Sequence, residues 1–255
     1  MSATGQTLVT LNVRGGMNDQ EKRRIIGNWI SEQRCAVAVL TECHGKAASL
    51  PYYRRAFPNS AWCLSDTDVF SGVGIVCDRE SRIISEHCFV PQLDDLNWGG
   101  RALMAKIEIN GSQISVVGIY APSQTRWRVG FFEAVSQWMT TLLTDDEVTF
   151  IAGDFNCTTN PRIDRHPPKI TPDIGSNELN VLIGRFGLIN VSNHLVETAN
   201  SRFTYFSRDF RSRIDRIYAN EHSIGCCRLI TTLPFANSDH HAVAVKISLG
   251  LQRRG

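Results

Sequence analysis

The sequence predicts an α/β fold in one domain. Short apolar runs rich in β-branched residues alternate with amphipathic helical segments from end to end. Polar residues recur beside those runs, and no repeat, low-complexity tract or composition shift marks a boundary. At 255 residues the chain is long for one domain, but α/β architectures reach this size without splitting. Folding buries roughly 70–75% of such a chain's extended surface, so the core needs no disulfide or metal staple.

The elements follow in order. Residues 8–13 form a first strand, broken by Gly15-Gly16. Asn18 can cap a helix over 19–33, with acids in its first turn and Ile25, Ile26, Trp29 and Ile30 on its apolar face. Residues 36–40 are a second buried strand ending at Thr41-Glu42, and 44–68 are turn-rich. Strands over 69–77 and 82–90 share a polar turn, and 103–109 and 113–120 form a hairpin around Asn110-Gly111. Pro122 and Ser123 precede a helix near 129–143. The run 148–151 is a central strand leading into Gly153-Asp154-Phe155-Asn156. Residues 157–175 hold four of the nine prolines and read as a surface loop. A helix over 177–186, closed by Gly187, precedes a short strand at 188–191; strands at 201–206, 212–219 and 241–249 finish the chain.

Composition narrows the function classes. A net charge of +2 is too small to argue for nucleic acid by itself. Local clustering says more: Arg202, Arg208, Arg211, Arg213 and Arg216 fall within fifteen positions, interleaved with Phe203, Tyr205, Phe206 and Phe210. An ordinary solvated hairpin is the competing account of that cluster. Arg126, Arg128, Arg162 and Lys169 are further candidates to meet a phosphate backbone, each with ordinary surface as the alternative. The eight cysteines show no C-x-x-C spacing and include adjacent Cys226-Cys227, which points to free thiols in a reducing compartment. Cys43 and Cys157 read as core filling. No run has the length of a membrane span and no signal-peptide segment opens the chain, so a soluble intracellular protein is expected.

Gly153-Asp154-Phe155-Asn156 carries the first chemical signal. Gly153 lets backbone approach a ligand closely, and a carboxylate and a carboxamide follow it. An isolated Asp-x-Asn is most often an Asx turn, but the tetrapeptide arises by chance in only about one chain in several hundred of this length. Asn12, Glu42, Tyr120, Asp154 with Asn156, Asp215, and Asp239 with His240 all lie in or beside β-type runs. Strand ends can converge on one rim. Carboxylates, carboxamides, an imidazole and a phenol there suit metal-assisted hydrolysis of a phosphate ester. Asp239 could orient His240, although chain neighbours rarely bond each other, which leaves another carboxylate as the alternative partner.

Six motifs in order give the chain a family likeness: Leu11-Asn12-Val13, Leu40-Thr41-Glu42, Ile119-Tyr120-Ala121-Pro122, Gly153-Asp154-Phe155-Asn156, Ser212-Arg213-Ile214-Asp215-Arg216-Ile217 and Ser238-Asp239-His240. Over residues 8–249 the sequence resembles the endonuclease/exonuclease/phosphatase superfamily. Within it, Gly100-Arg101-Ala102-Leu103, the Tyr120-Ala121-Pro122 run toward Phe131-Phe132, and Asp164-Arg165 are similar to the apurinic-endonuclease-like domains of non-LTR (LINE-type) retrotransposons.

The resemblance implies a four-layered α/β sandwich of the DNase I-like kind, with two packed mixed β-sheets flanked by helices. It implies Mg²⁺, replaceable by Mn²⁺, held chiefly by Glu42 with Asn12 nearby and Asp215 as a further contributor. His240 would contact the scissile phosphate as base or transition-state stabiliser, and Asp239 belongs with it. Asp154 would orient or activate water, Asn156 would hold a phosphate oxygen, and Tyr120 would support the transition state. The implied reaction nicks double-stranded DNA and leaves a 3′-hydroxyl that primes reverse transcription, with Arg202, Tyr205, Arg208 and Arg211 as candidates to meet the DNA. Arg213, two positions before Asp215, is divided between a phosphate contact and a surface salt bridge. The expected setting is nuclear, in a longer polyprotein with a reverse transcriptase domain. Repair endonucleases acting at abasic sites, phosphatases of small phosphoesters such as inositol phosphates, and a binding module without catalysis are the rival readings. His241, opening the last strand, reads as structural.

Overall fold

The computed structural model describes residues 5–91, 98–195 and 202–249. β1 (Gln6–Asn12) is followed by α1 (Gln20–Glu32), β2 (Cys35–Thr41) and α2 (Leu50–Ala56). Next come β3 (Ser60–Cys63), β4 (Val73–Cys77), β5 (Ser81–Cys88), β6 (Ala102–Ile109) and β7 (Ser112–Tyr120). α3 (Thr125–Thr140) and β8 (Thr149–Asp154) lead to α4 (Pro161–Asp164), β9 (Arg165–His166), α5 (Ser176–Arg185), β10 (Ile189–Asn190) and α6 (Val191–His194). The last elements are β11 (Tyr205–Phe206), β12 (Arg211–Ser212), β13 (Asp215–Ala219), α7 (Glu221–Ile224), β14 (Cys227–Leu233) and β15 (Ala242–Ile247).

Two six-stranded sheets carry the fold. The first runs β14-β15-β1-β2-β4-β3, the second β10-β13-β8-β7-β6-β5, and β11-β12-β9 make a small separate ribbon. Both large sheets are mixed: β1 pairs β2 in parallel and β7 pairs β8 in parallel, while the other ladders are antiparallel. Leu8, Val39, Leu103, Val116, Phe150 and Val245 fill the space between the sheets. Val9 and Leu11 pack outward on Ile26 and Tyr53 of the first helical layer. Ile151 and Tyr218 pack outward on Phe131 and Leu179 of the second. The result is the expected four-layered sandwich. Because both faces of each sheet are covered, its strands read as unbroken apolar runs rather than alternating ones. Each large side chain taken out of water in these layers contributes about 1.5–3 kcal/mol.

The structure corrects several local expectations. Asp19, not Asn18, caps α1, its carboxylate accepting from the Glu21 N–H at 3.0 Å. Asn18 Oδ1 instead accepts from Ser49 Oγ at 2.8 Å. The turn-rich stretch 44–68 contains α2 and β3; a seven-residue helix with proline in its first turn is too short to show a period. The strand expected over 212–219 is two pieces in different sheets, β12 and β13. β14 lies where no strand was expected. The segment 157–175 is less of a surface loop than its prolines imply, since Asp164 within α4 is fully buried. Residue 201, the expected start of one strand, lies outside the described residues.

Candidate active site

Period-two alternation aims three residues of the second sheet at one point. On β8, Phe150 and Ala152 face the other sheet, so Asp154 does too; on β13, Ile217 and Ala219 set the same parity for Asp215. Tyr120 and Asp215 are the register partners of Asp154 on the strands either side, so the three stand in a row across β7, β8 and β13. Gly153 permits this packing: a Cβ there would lie 1.8 Å from the Ile119 carbonyl oxygen of β7, and its φ is 150°.

The first sheet supplies the rest. Asn12 ends β1 facing inward, with the parity of Leu8. By alternation Glu42 would follow Ala38 and Leu40 to the helical side. Its φ of 54° ends β2 instead, and its Oε2 accepts from Asn12 Nδ2 at 2.9 Å. Asn12 Nδ2 also donates to Asp154 Oδ2 at 2.9 Å, which links the two sheets. His240 lies just before β15, and its Nδ1 is 2.8 Å from Asp215 Oδ2. The acid that orients His240 is therefore Asp215, not its neighbour Asp239. Asp239 stays half-exposed, 3.7 Å from Arg14 Nε.

Burial and neighbouring charge tune these groups. Burial raises the Asp154 carboxyl, the Asp215 charge raises it further, and the sum lifts it to about 7 despite His240 and the bonds from Asn156 and Asn12. Burial alone would lower His240, but Asp215, Asp154 and Asp239 outweigh it and raise the imidazole to about 9. Glu42 is also raised by burial, yet bonds from His44 and Asn12 bring it below the ordinary carboxylate range. Tyr120 is pushed well up by burial and by the charges of Glu42 and Asp154, so its phenol keeps its proton.

Glu42, Tyr120, Asp154 and His240 line a cleft of about 430 Å³, with Asn12 and Asp215 buried behind them. A larger groove of about 880 Å³ runs beside α1 and α2, but it contains none of them. The donors fit a hard divalent cation. Asp154 and Asp215 each place a carboxylate oxygen within 4.8 Å of the other, Asp215 Oδ1 is buried with no hydrogen-bond partner among the described residues, and Glu42 is ionised nearby.

The other expected site residues divide. Asn156 sits at φ 50° beside the cleft, donating through Nδ2 to the Ala121 carbonyl at 2.8 Å. Tyr205 lines the cleft with its ring centroid 4.9 Å from that of His240, and a β-bridge joins the two residues. β11 and β12 form a hairpin whose Arg208 and Arg211 are exposed, as is Arg202 just before it. Arg213 departs from expectation: it is buried in an ion pair with Asp164 at 2.6 Å, so it faces the core rather than DNA. Arg216, from the same cluster, is fully buried on Asp164 as well. Arg128 is also buried and spends its donors on the Pro122 and Ser123 carbonyls, whereas Arg126, Arg162 and Lys169 are exposed. His241 packs its ring 4.3 Å from that of Phe206, and Cys43 and Cys157 are buried. Arg14 and His44 escaped sequence reasoning, having no signal beyond standing two positions after Asn12 and Glu42.

Two mixed sheets with an acid–imidazole cleft at one end define the DNase I-like α/β sandwich class. The chain belongs to the Endonuclease/Exonuclease/phosphatase family, whose pattern matches residues 9–240. It is 36% identical over 155 residues to a "Transposon TX1 uncharacterized 149 kDa protein" from Xenopus laevis, a match that takes in 59% of this chain and 12% of that one. A 3′-5′ exonuclease from Neisseria meningitidis superposes with a TM-score of 0.78 at 17% identity, over 96% of this chain and all of the other. An AP endonuclease from Archaeoglobus fulgidus follows at 0.76 with the same identity and coverage. A Neisseria 3′ phosphatase bound to a product DNA hairpin gives 0.72, again at 17% identity, 96% of this chain and all of the other.

Proposed function

We propose that this protein is a metal-dependent endodeoxyribonuclease. It nicks one strand of duplex DNA and leaves a 3′-hydroxyl that primes reverse transcription in non-LTR retrotransposition. The observation that carries this is the meeting, in one cleft, of the His240–Asp215 pair, Asp154 and the Asn12–Glu42 bridge. The likeness to a transposon protein supports the choice of substrate. In this reading Glu42, Asn12 and Asp215 would hold Mg²⁺, with Mn²⁺ able to replace it. The cation, when bound, supplies positive charge to the phosphoryl oxygens and the leaving group.

The side chains do the rest. Asp154, lifted to about 7, is suited to take a proton from the attacking water near neutral pH. In the metal-free cleft His240, at about 9, is an imidazolium at neutral pH, which suits it to donate a hydrogen bond and positive charge to a phosphoryl oxygen. Asp215 holds the ring through Nδ1, which leaves Nε2 for the substrate. Asn156 has committed one amide N–H to Ala121 and offers the other to phosphate. Tyr120 offers a protonated phenol. Water adds to phosphorus as Asp154 takes its proton, the P–O3′ bond breaks, and the leaving O3′ takes a proton from solvent to become the hydroxyl. Arg202, Tyr205, Arg208 and Arg211 engage the minor groove, where readout follows width and deformability more than base identity. The protein acts in the nucleus as part of a longer polyprotein that includes a reverse transcriptase.

Supercoiled plasmid tests this, with Mg²⁺, Mn²⁺ or chelator, using wild type and His240→Ala. Metal-dependent nicking is expected, with a loss of about 10²–10⁴-fold in the variant. Cleavage confined to abasic oligonucleotides would replace the retrotransposon role with repair. Hydrolysis of an inositol phosphate without any DNA nicking would overturn the nuclease reading.

A further inference from the structure

Arg14 lies in the loop between β1 and α1 and has no part in the chemistry above. Its φ is 55°, and Gly15 and Gly16 follow at 66° and 76°. Left-handed backbone is unfavourable for arginine and persists only where the surroundings hold it. Here they do. The Arg14 N–H donates to Asn12 Oδ1 at 2.9 Å, and the Gly15 N–H donates to the Glu42 carbonyl at 2.7 Å. A Cβ on Gly15 would lie 2.2 Å from His44 Nδ1, so the loop is pressed against that ring. The strained residue and its neighbour are thus tied to Asn12 and Glu42, the pair that meets behind the cleft.

Its side chain lines the cleft, along with those of Arg128 and Arg165. The other two arginines are engaged: Arg128 by two carbonyls at 2.9 and 2.7 Å, and Arg165 by Asp173 at 2.6 Å. The Arg14 guanidinium has one ion pair among the described residues, to Asp239 at 3.7 Å, too long for a hydrogen bond, and its side chain is 62% exposed. Its forked donors match a phosphate in geometry and charge.

We propose that Arg14 is a phosphate-binding residue of this cleft, taking a backbone phosphate beside the scissile one on the cleaved strand. The proposal rests on the reading of the cleft as a DNA-nicking site. Asp239 orients the guanidinium before DNA arrives and gives it up to the stronger phosphate pair. A side chain launched from a locked loop loses less freedom on binding than one on a mobile loop.

Wild type, Arg14→Ala, Arg14→Lys and Arg14→Gly would be compared for binding a short DNA duplex in chelator across a salt series. Nicking with Mg²⁺ would be measured in parallel. Arg14→Ala should lose about tenfold in affinity and shallow the slope of log K against log salt by about one, the signature of one lost phosphate contact. Its KM should rise while kcat holds, and Arg14→Lys should fall between it and wild type. Arg14→Gly, relieved of the left-handed strain, should melt no lower than wild type yet bind as weakly as Arg14→Ala, which separates lost contact from misfolding. An unchanged slope and KM in Arg14→Ala, with wild type nicking normally, overturns the role of Arg14 alone. Wild type that neither binds nor nicks DNA removes the nuclease reading and the inference with it.

Discussion

His240 and Asp215 work as one buried unit, because the carboxylate both fixes which ring nitrogen faces inward and keeps the imidazole charged. Asp215→Asn keeps the shape and removes the charge. Nicking by this variant should fall about 10²–10⁴-fold in kcat, while duplex affinity in chelator stays near wild type; single-turnover nicking beside a binding titration reads both. Gly153 makes a different demand. With the Ile119 oxygen 1.8 Å from any added Cβ, Gly153→Ala must push β7 and β8 apart. It should cost roughly 3 kcal/mol or more, read by urea unfolding. A cost under about 0.5 kcal/mol, typical of an open surface site, would mean that the two strands do not approach as described.

At the scale of elements, the segment between β8 and α5 is anchored by charge. Asp164, at the end of α4, receives Arg213 from beside β13 and Arg216 from within it, all three buried. Removing the acid leaves two cations without their partner in the core. Asp164→Ala should therefore destabilise the protein by roughly 3–5 kcal/mol, measured by the shift in its thermal melt. A solvated loop would show no such loss. The β11–β12 hairpin is tied differently. The Phe206 N–H donates to the Asp239 carbonyl at 3.0 Å and the His241 N–H to the Thr204 carbonyl at 2.7 Å. The arginine-bearing ribbon is thereby stitched to the backbone on either side of His240.

For the whole molecule, the cleft makes stability depend on pH. His240 is raised from 6.5 to about 9, so folding holds a proton that the unfolded chain releases between those values. Its contribution is complete below pH 6.5 and is lost as pH climbs through 9, a difference on the order of 3 kcal/mol. Asp154, raised from 3.8 to about 7, acts in the same direction at lower pH. The metal-free protein should thus melt at progressively lower temperature from pH 6.5 to 9, and His240→Gln should flatten that decline. A melting temperature that rises over this range in wild type would contradict the charged Asp215–His240 pair.

Strand order of appearance, the alternation with helices and the polar strand ends were legible in the sequence, because they depend on local hydrophobic period and on short motifs. Those motifs also put Asn12, Tyr120, Asp154 and Asp215 in or beside strands, where their ends could share a rim. The local period could not place Glu42, whose left-handed φ overrides alternation, nor choose between Asp215 and Asp239 as the partner of His240. It read Arg213 as a surface charge because nothing in the neighbouring residues announces Asp164, forty-nine positions away. Pairings of that kind are decided by which strand lies beside which. The pairing of β12 with β9 brought Arg213 to Asp164, and only the closure of the two large sheets brought His240 to Asp215 and Asn12 to Asp154, since burial makes an unpaired charge too costly to leave and tertiary contact alone supplies the partner.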